Sequence, residues 1–357
     1  MRFDFNSIKN MKTLSIAVLT IMAAISAKGQ THEMNIEYRD GSNRTVPVSS
    51  ITFEKHKWTE GKELTAKLSE NILPYPERFN VEAEKRGKVV RMDYDTRAYN
   101  TGETITKSAL VYLPYGYDPN DIRRYNVFYM MHGMGDRFDT YLKAPGSTSE
   151  LKRALDHLIQ DGEIEPLIVV TPSFYIPEKY DQSEVWAGVA NFPKELIYDL
   201  MPAVASSYRT YATATDPSTF EQTRSHRAFG GFSAGSVTCW NVFNEDFRYF
   251  REYVPMSGAM NLFTSSTTDG LSSALASMVD ACGYGQHDFY INAISGSEDY
   301  AKSGLASQIT TMGNHSMFTI DKDKSTGNIC YREFAGGKHD YSATVVYIYN
   351  SLLSLFR

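Results

Sequence analysis

Cysteine is scarce in this sequence, with three residues among 357. So low a count excludes the disulfide framework on which small secreted domains rely. We expect Cys239, which lies in an apolar run, to be a buried thiol, whereas Cys282 and Cys330 could pair in an oxidising compartment. No group of cysteines and histidines has the spacing of a zinc site, and the sequence therefore predicts no metal.

Blocks of positive charge are missing as well. The 36 Lys and Arg are outnumbered by 42 Asp and Glu, and the formal net charge is −6. Nucleic acid is therefore not expected as a partner, because its recognition requires a basic patch or stripe. Hydrophobic residues make up 42% of the chain, which is ordinary for globular proteins and allows a large core.

The apolar run near the N-terminus is too short to cross a bilayer. It extends from Leu14 to Ala27, follows a lysine and is closed by Lys28. A basic start, an apolar centre and small residues at a cleavage site are typical of a secretory signal peptide. We therefore expect residues 1–29 to be a signal peptide, with 1–10 as an upstream extension. The mature chain is then secreted or periplasmic, without stable membrane insertion.

Two segments separate the apolar run from the rest of the chain. Residues 33–54 alternate apolar and polar around Asp40-Gly41, which predicts a hairpin. Residues 55–87 are polar with scattered prolines and are interpreted as a connecting segment. We therefore assign residues 30–87 to a small N-terminal β segment and linker, and residues 88–357 to a second domain.

Strand and helix patterns alternate throughout that second domain. The continuous apolar run at 166–172 is typical of a buried parallel strand. Helices are predicted at 148–161 and at 193–208, and Pro202 must kink or divide the latter. Such alternation predicts an α/β fold with a mostly parallel central sheet and helices on both of its faces.

A serine between glycines is the first candidate functional residue. It is Ser233 in Gly231-Phe232-Ser233-Ala234-Gly235, with a strand pattern before it and a helix pattern after it. A nucleophile held on a sharp strand-to-helix turn has this context, because flanking glycines let the backbone pass through a crowded bend. We interpret Ser233 as a nucleophile in preference to a structural serine in a tight turn.

A serine nucleophile needs a base and a carboxylate, and in this arrangement both follow it in the chain. His339 lies after Gly336-Gly337, between a strand pattern and the final helix pattern, and is the expected base. The carboxylate that would orient it follows another strand in "AISGSEDYA", where Asp299 is our choice and Glu298 the alternative.

Backbone N–H groups must also stabilise the oxyanion of the tetrahedral intermediate. Ala234, the residue after the serine, supplies one of them. The other is expected from the loop "MMHGMGD", where Met134 is the expected donor with Gly133 beside it. His132 precedes the serine in the chain and is expected to be structural.

Taken together, these segments resemble the signature blocks of carbohydrate esterase family 1 over about residues 88–357. The blocks are "SALVYLPYGYD", "YNVFYMMHGMGD", "FPKELIYDLMPAVASSYRTYA", "RAFGGFSAGS", "YVPMSG" and "GGKHDY". Within this family the likeness to bacterial feruloyl esterase modules is greatest. The resemblance implies an α/β-hydrolase fold, a triad of Ser233, Asp299 and His339, and neither metal nor cofactor. It also implies a serine esterase that acts on acylated xylan or xylo-oligosaccharides and releases hydroxycinnamic acids from arabinoxylan.

The chain departs from the family pattern near the expected acyl pocket. Ala234 and Ser236 stand where relatives often have Met and Gly, so that the pocket they shape with Phe232 could suit a phenolic acid or acetate. The segment 175–192 is interpreted as an insertion and is expected over the site. Its Trp186 and Phe192 could stack on a sugar or phenolic ring or pack the loop onto the core.

Two alternative functions remain open at this point. An acetyl xylan esterase or a related acyltransferase would use the same three residues. A non-catalytic carbohydrate-binding protein on a hydrolase scaffold is the alternative from a different class.

Overall fold

The computed structural model describes three stretches of the chain together with the backbone of two further strands. The stretches are residues 66–176, 184–260 and 269–357, and the strands are β1 (Glu33–Glu37) and β2 (Asn43–Pro47). β1 and β2 pair antiparallel, as the alternation in residues 33–54 predicts. The expected signal peptide, residues 1–29, lies outside the described residues. The chain divides into two compact units, Met1–Trp58 and Thr59–Arg357.

The second unit contains an eight-stranded sheet with the order β10-β9-β8-β7-β5-β6-β4-β3. Its strands are β3 (Lys88–Arg97), β4 (Thr104–Leu113), β5 (Asn126–Met131), β6 (Leu167–Thr171), β7 (Arg227–Phe232), β8 (Glu252–Met256), β9 (Tyr290–Gly296) and β10 (Ile329–Phe334). β4 runs antiparallel to β3 and to β6, and the other neighbours are parallel. The predicted mostly parallel sheet is confirmed.

Helices cover both faces of this sheet. They are α1 (Glu150–Gln160), α2 (Val185–Glu195), α3 (Met201–Ser207), α4 (Pro217–Gln222), α5 (Ala234–Glu245), α6 (Asp269–Ala281), α7 (Lys302–Met312) and α8 (Tyr341–Leu352). Val237 of α5 and Leu275 of α6 belong to the core of one face, and Leu155 of α1 and Ile348 of α8 to that of the other. No helix among the described residues is both long and apolar enough to span a membrane.

The central strands supply both cores through the two-residue period of a strand. In β5, Val127 and Tyr129 point into one core, and Phe128 and Met130 into the other. A strand buried on both faces needs apolar residues at every position, which explains the unbroken apolar runs in the sequence. The parallel strands end at one edge of the sheet, where loops from several strands meet.

The structure corrects the predicted helix start at 193, because the helix begins inside the segment 175–192, which is interpreted as an insertion. α2 begins at Val185 and continues past Pro193 into a π-helical turn, Leu196–Leu200. A proline inside a helix leaves the carbonyl four residues earlier without its donor. Here the amide side chain of Asn241, in α5, donates to that carbonyl, Val189 O, at 3.2 Å. The helix therefore tolerates a proline that the sequence pattern marks as a boundary.

Residues 66–87, interpreted from their prolines as connecting segment, contain little regular structure, yet they bury apolar side chains. Leu68, Ile72 and Phe79 are almost completely buried. The Phe79 ring stacks on His157 of α1 with the ring centroids 4.8 Å apart. All three cysteines of the chain are free thiols.

Candidate active site

Ser233 occupies the turn between β7 and α5 in a strained backbone conformation. Its φ of 56° and ψ of −117° lie in a region that L-residues rarely adopt, at a cost of about 1–3 kcal/mol. The turn is held by a hydrogen bond from the Ser233 N–H to Met256 O, 2.9 Å long, and by one from the Ser236 N–H to Ser233 O. The hydroxyl thereby projects from the carboxyl edge of the sheet.

The two glycines that flank the turn are required by close packing. A Cβ atom on Gly231 would lie 2.2 Å from Gly235 O, which shows how tightly the strand meets the helix. A Cβ atom on Gly235 would lie 2.5 Å from His132 O, in the loop after β5. Neither distance is possible for a real side chain. The spacing of glycines around Ser233 thus reflects contacts on both sides of the turn.

The structure brings His339 and Asp299 together with Ser233. His339 Nε2 lies 2.8 Å from Ser233 Oγ, and His339 Nδ1 lies 2.9 and 3.0 Å from the two carboxylate oxygens of Asp299. Because a carboxylate can only accept, Nδ1 carries the proton and the Nε2 lone pair faces the serine hydroxyl. Asp299 follows β9 and His339 follows β10, so that neighbouring strands deliver both to one edge.

Asp299 is the carboxylate that contacts the imidazole, and Glu298 is not. Burial would raise the pKa of the Asp299 carboxyl, but hydrogen bonding from His339, Ser257 and the Ala301 N–H holds that pKa below its ordinary value. Glu298 points away from the site, with 58% of its side chain exposed and its carboxylate 4.0 Å from Lys338. The choice between two adjacent acids is therefore decided by their surroundings.

The loops that carry Asp299 and His339 are joined directly. A Cβ atom on Gly296 would lie 2.0 Å from Gly337 O. The Glu298 N–H donates to the same carbonyl at 3.0 Å, and the Gly336 N–H donates to Ser297 Oγ at 2.8 Å. Gly336 has a φ of 73°, which favours glycine. These contacts fix the spacing between the carboxylate and the imidazole.

Two aromatic rings lie against the imidazole of His339. The Phe232 ring is 4.6 Å from it and the Tyr300 ring is 4.2 Å from it, measured between centroids. Phe232 is buried, whereas Tyr300 is 74% exposed. The sequence patterns did not single out Tyr300, although it directly follows the acid in "SEDY". They also did not single out Ser257, which comes directly after β8.

The loop after β5 presents the peptide between Gly133 and Met134 in a fixed orientation. His132 Nδ1 lies 2.7 Å from Gly133 O, and His132 Nε2 lies 2.9 Å from Ser173 Oγ. A carbonyl only accepts, so Nδ1 donates to it and Nε2 accepts from the serine hydroxyl. In a trans peptide the N–H points opposite to the C=O. Anchoring the Gly133 carbonyl therefore turns the Met134 N–H away from His132.

The N–H groups of Met134 and Ala234 are both available to a ligand. Ala234 is the first residue of α5, where an N–H has no partner within the helix. Within the described stretches, neither N–H donates to another protein group. Both belong to segments in contact around the serine, since the helix that begins at Ala234 packs against the loop after β5.

His132 is held neutral and is unsuited to act as a base. Burial lowers its pKa to about 3, and the positive charges of Lys107 and Arg137 act in the same direction. The Lys107 ammonium group is itself buried, donating to Ser173 O at 2.6 Å and to Glu195 at 2.7 Å. Lys107 and Glu195 thus fix the backbone of the serine whose hydroxyl meets His132. A lysine inside the apolar strand pattern "ITKSALVYL" was the signal for this pair.

Removal of the His132 imidazole is expected to lower kcat without loss of the fold. If the Met134 N–H holds the oxyanion, His132→Ala removes the hydrogen bond from Nδ1 to the Gly133 carbonyl, leaves that carbonyl with the Asp136 N–H at 3.2 Å, and costs a factor of about 100 in kcat. His132→Asn, whose amide can replace Nδ1, is expected to recover most of this loss. The measurement is kcat and KM on a p-nitrophenyl ester. His157→Asn, at a buried histidine of α1, is the control, and wild-type kcat in His132→Ala would contradict the role.

The side chains expected to bind substrate differ in their burial and in what they contact. Phe192 is 1% exposed and its ring packs against Phe229 in the core, so that it has no surface to offer a ligand and this expectation is corrected. Trp186 is half-buried in the first turn of α2 and packs on the same core. Phe232 lies against His339, as described above. Ser236 is fully buried and donates to Gly258 O, so that it shapes the site only through its volume.

A hydroxyl, an imidazole and a carboxylate in series, with two unpaired backbone N–H groups nearby, can perform nucleophilic attack on an acyl group. No three His, Cys, Asp or Glu side chains gather as metal ligands would in the described stretches. A mostly parallel sheet with a strained serine after its central strand and the acid and histidine after later strands defines an α/β-hydrolase.

Comparison with known proteins identifies a family within the α/β-hydrolases. No family model matches the chain. It is 34% identical over 283 residues to endo-1,4-beta-xylanase Y of Acetivibrio thermocellus, covering 79% of this chain and 24% of the xylanase. It is 28% identical over 202 residues to an endo-1,4-beta-xylanase/feruloyl esterase of Xylanibacter ruminicola, covering 56% of this chain and 24% of that protein. The chain thus spans about a quarter of the length of the curated relatives it matches.

Two solved structures match over nearly their whole length. The feruloyl esterase module of Clostridium thermocellum, in a serine-to-alanine mutant complexed with sinapinate, is 33% identical with a TM-score of 0.71. The match covers 82% of this chain and 96% of that module. A ferulic acid esterase of Anaeromyces mucronatus shares the fold at 18% identity and a TM-score of 0.55, covering 83% of this chain and 98% of the fungal one. The chain belongs to carbohydrate esterase family 1, a family of serine carboxylic-ester hydrolases.

Proposed function

We propose that the protein is an exported feruloyl esterase, which releases hydroxycinnamic acids from acylated xylan. The observation that carries this proposal is the hydrogen-bonded series Ser233, His339 and Asp299, found in a chain 33% identical to a feruloyl esterase module and spanning 96% of it. The sinapinate bound to that module is a hydroxycinnamate, which favours a phenolic acyl group over acetate.

The reaction uses each of these residues in turn. His339 Nε2 accepts the proton of the Ser233 hydroxyl while Oγ attacks the ester carbonyl. The oxyanion that forms accepts hydrogen bonds from the Met134 and Ala234 N–H groups. His339 then gives its proton to the oxygen of the departing sugar, and the feruloyl group remains on Ser233. Water, activated by the same imidazole, attacks the acyl-enzyme and releases the acid. Asp299 keeps the imidazole oriented and stabilises its positive charge.

Product analysis on two polymers tests the proposal. Purified enzyme is incubated with feruloylated arabinoxylan and with acetylated xylan, and the released acids are quantified. We expect ferulate release to exceed acetate release at equal ester concentration, and both to vanish in Ser233→Ala. Acetate as the main product would overturn the proposal in favour of an acetyl xylan esterase. No product from either polymer, with no labelling of Ser233 by a fluorophosphonate, would indicate a non-catalytic binding protein.

A further inference from the structure

Tyr300 places a largely exposed aromatic ring directly on the proposed catalytic pair. Its ring centroid is 4.2 Å from that of His339, and the planes are inclined by 36°. Despite this contact, 74% of the residue faces solvent. An aromatic ring exposed to water does not contribute the stabilisation that its burial would give. Ring faces of this kind serve as contact surfaces for ligands.

The proposed reaction places the departing alcohol on the same side of the site as Tyr300. His339 Nε2 must reach both Ser233 Oγ and the oxygen of the departing alcohol, since it transfers the proton from one to the other. The alcohol therefore sits beside the imidazole, whereas the carbonyl oxygen points to the N–H groups of Met134 and Ala234. Phe232 also lies against the imidazole, but it is buried. Tyr300 is the ring beside the imidazole that a bulky alcohol can reach from solvent.

We propose that Tyr300 is the binding platform for the sugar of the ester, the leaving-group alcohol. Its exposed ring stacks on the C–H face of the sugar, a contact that a methyl ester cannot make. Tyr300 is then a specificity-determining residue for the alcohol and not for the acid. This inference rests on the proposed function, because only a sugar ester offers such a leaving group.

Two substrates that share an acyl group and differ in the alcohol test this assignment. Kinetic constants are measured for methyl ferulate and for a feruloylated arabino-xylo-oligosaccharide. Tyr300→Ala is expected to lower kcat/KM by about tenfold on the oligosaccharide, the scale of one lost aromatic contact, and by no more than about twofold on methyl ferulate. Tyr300→Phe keeps the ring and is expected to retain most of the sugar preference. Both esters give the same feruloyl-enzyme, and its hydrolysis rate is expected to stay the same for both esters in each variant.

A second pair of esters and a control residue separate recognition from structure. Methyl ferulate and methyl p-coumarate differ in the acid, and their ratio of kcat/KM is expected to be unaffected by Tyr300→Ala. Tyr198, 67% exposed in the π-helical turn, is the matched control, and Tyr198→Ala is expected to behave as wild type. An equal loss on both alcohols, or no loss on either, would overturn the inference. Absence of ferulate release by the wild-type enzyme from either ester would instead overturn the proposed function.

Discussion

Ser233→Ala is expected to lower kcat for ester hydrolysis by a factor of about 10⁶, because the oxygen that forms the acyl-enzyme is gone and water cannot replace it in that position. The variant is expected to stay folded, since the hydrogen bond that the serine hydroxyl loses is the one to His339 within the site, and the core is unchanged. The measurement is turnover of p-nitrophenyl acetate, together with a circular dichroism spectrum and a thermal melt. Turnover within tenfold of the wild type would refute the nucleophilic role.

The strained backbone at Ser233 adds a stability result to the same experiment. A φ of 56° with a ψ of −117° is the mirror image of an extended conformation, which glycine enters without strain. Ser233→Gly relieves about 1–3 kcal/mol of strain, and the greater freedom of glycine in the unfolded chain offsets about 1 kcal/mol of it. The melting temperature of Ser233→Gly is therefore expected to exceed that of Ser233→Ala. A lower value would mean that the turn is not strained.

The sequence was sufficient to predict the sheet and the segments that meet at its edge. An apolar run that ends in "GGFSAG" predicts a strand, a turn and a helix, because the glycines and the flanking patterns agree on one geometry. The order of the candidate residues along the chain then assigns His339 to the loop after the last strand. Such inferences succeed because the positions of parallel strand ends follow from topology alone.

The sequence alone could not predict which side chains of a loop point into the site. Glu298 and Asp299 are adjacent carboxylates, and Ser257 and the Ala301 N–H, together with His339, decide which of them faces inward. The helical start of α2 was missed for a similar reason. The predicted helix begins at Pro193, whereas in the structure the Asn241 side chain donates to Val189 O and so supplies the donor that a proline inside the helix removes. In both cases the deciding group comes from a segment distant in the chain.

Asp299→Asn and Glu298→Gln form a matched pair that distinguishes the two adjacent acids. The amide of the introduced asparagine can donate to Nδ1 of His339, which moves the imidazole proton to Nε2 and leaves no lone pair to accept the serine proton. We expect Asp299→Asn to lower kcat by a factor of about 10⁴ with little change in KM. Glu298→Gln is expected to keep wild-type kcat, because the Glu298 side chain is exposed and contacts no group of the site.

The loss in Asp299→Asn is expected across the whole working pH range. Hydrogen bonding holds the pKa of the Asp299 carboxyl below its ordinary value, so that the wild-type carboxylate is ionised throughout the neutral pH range. The measurement is the rate of p-nitrophenyl acetate hydrolysis by the wild type and both variants from about pH 5 to about pH 9. A large loss in Glu298→Gln and a small one in Asp299→Asn would reverse the assignment. A neutral amide also cannot stabilise an imidazolium, so the loss of kcat in Asp299→Asn reports both the orientation and the charge of the imidazole. The factor by which kcat falls is expected to be about a hundredfold larger in Asp299→Asn than in His132→Ala.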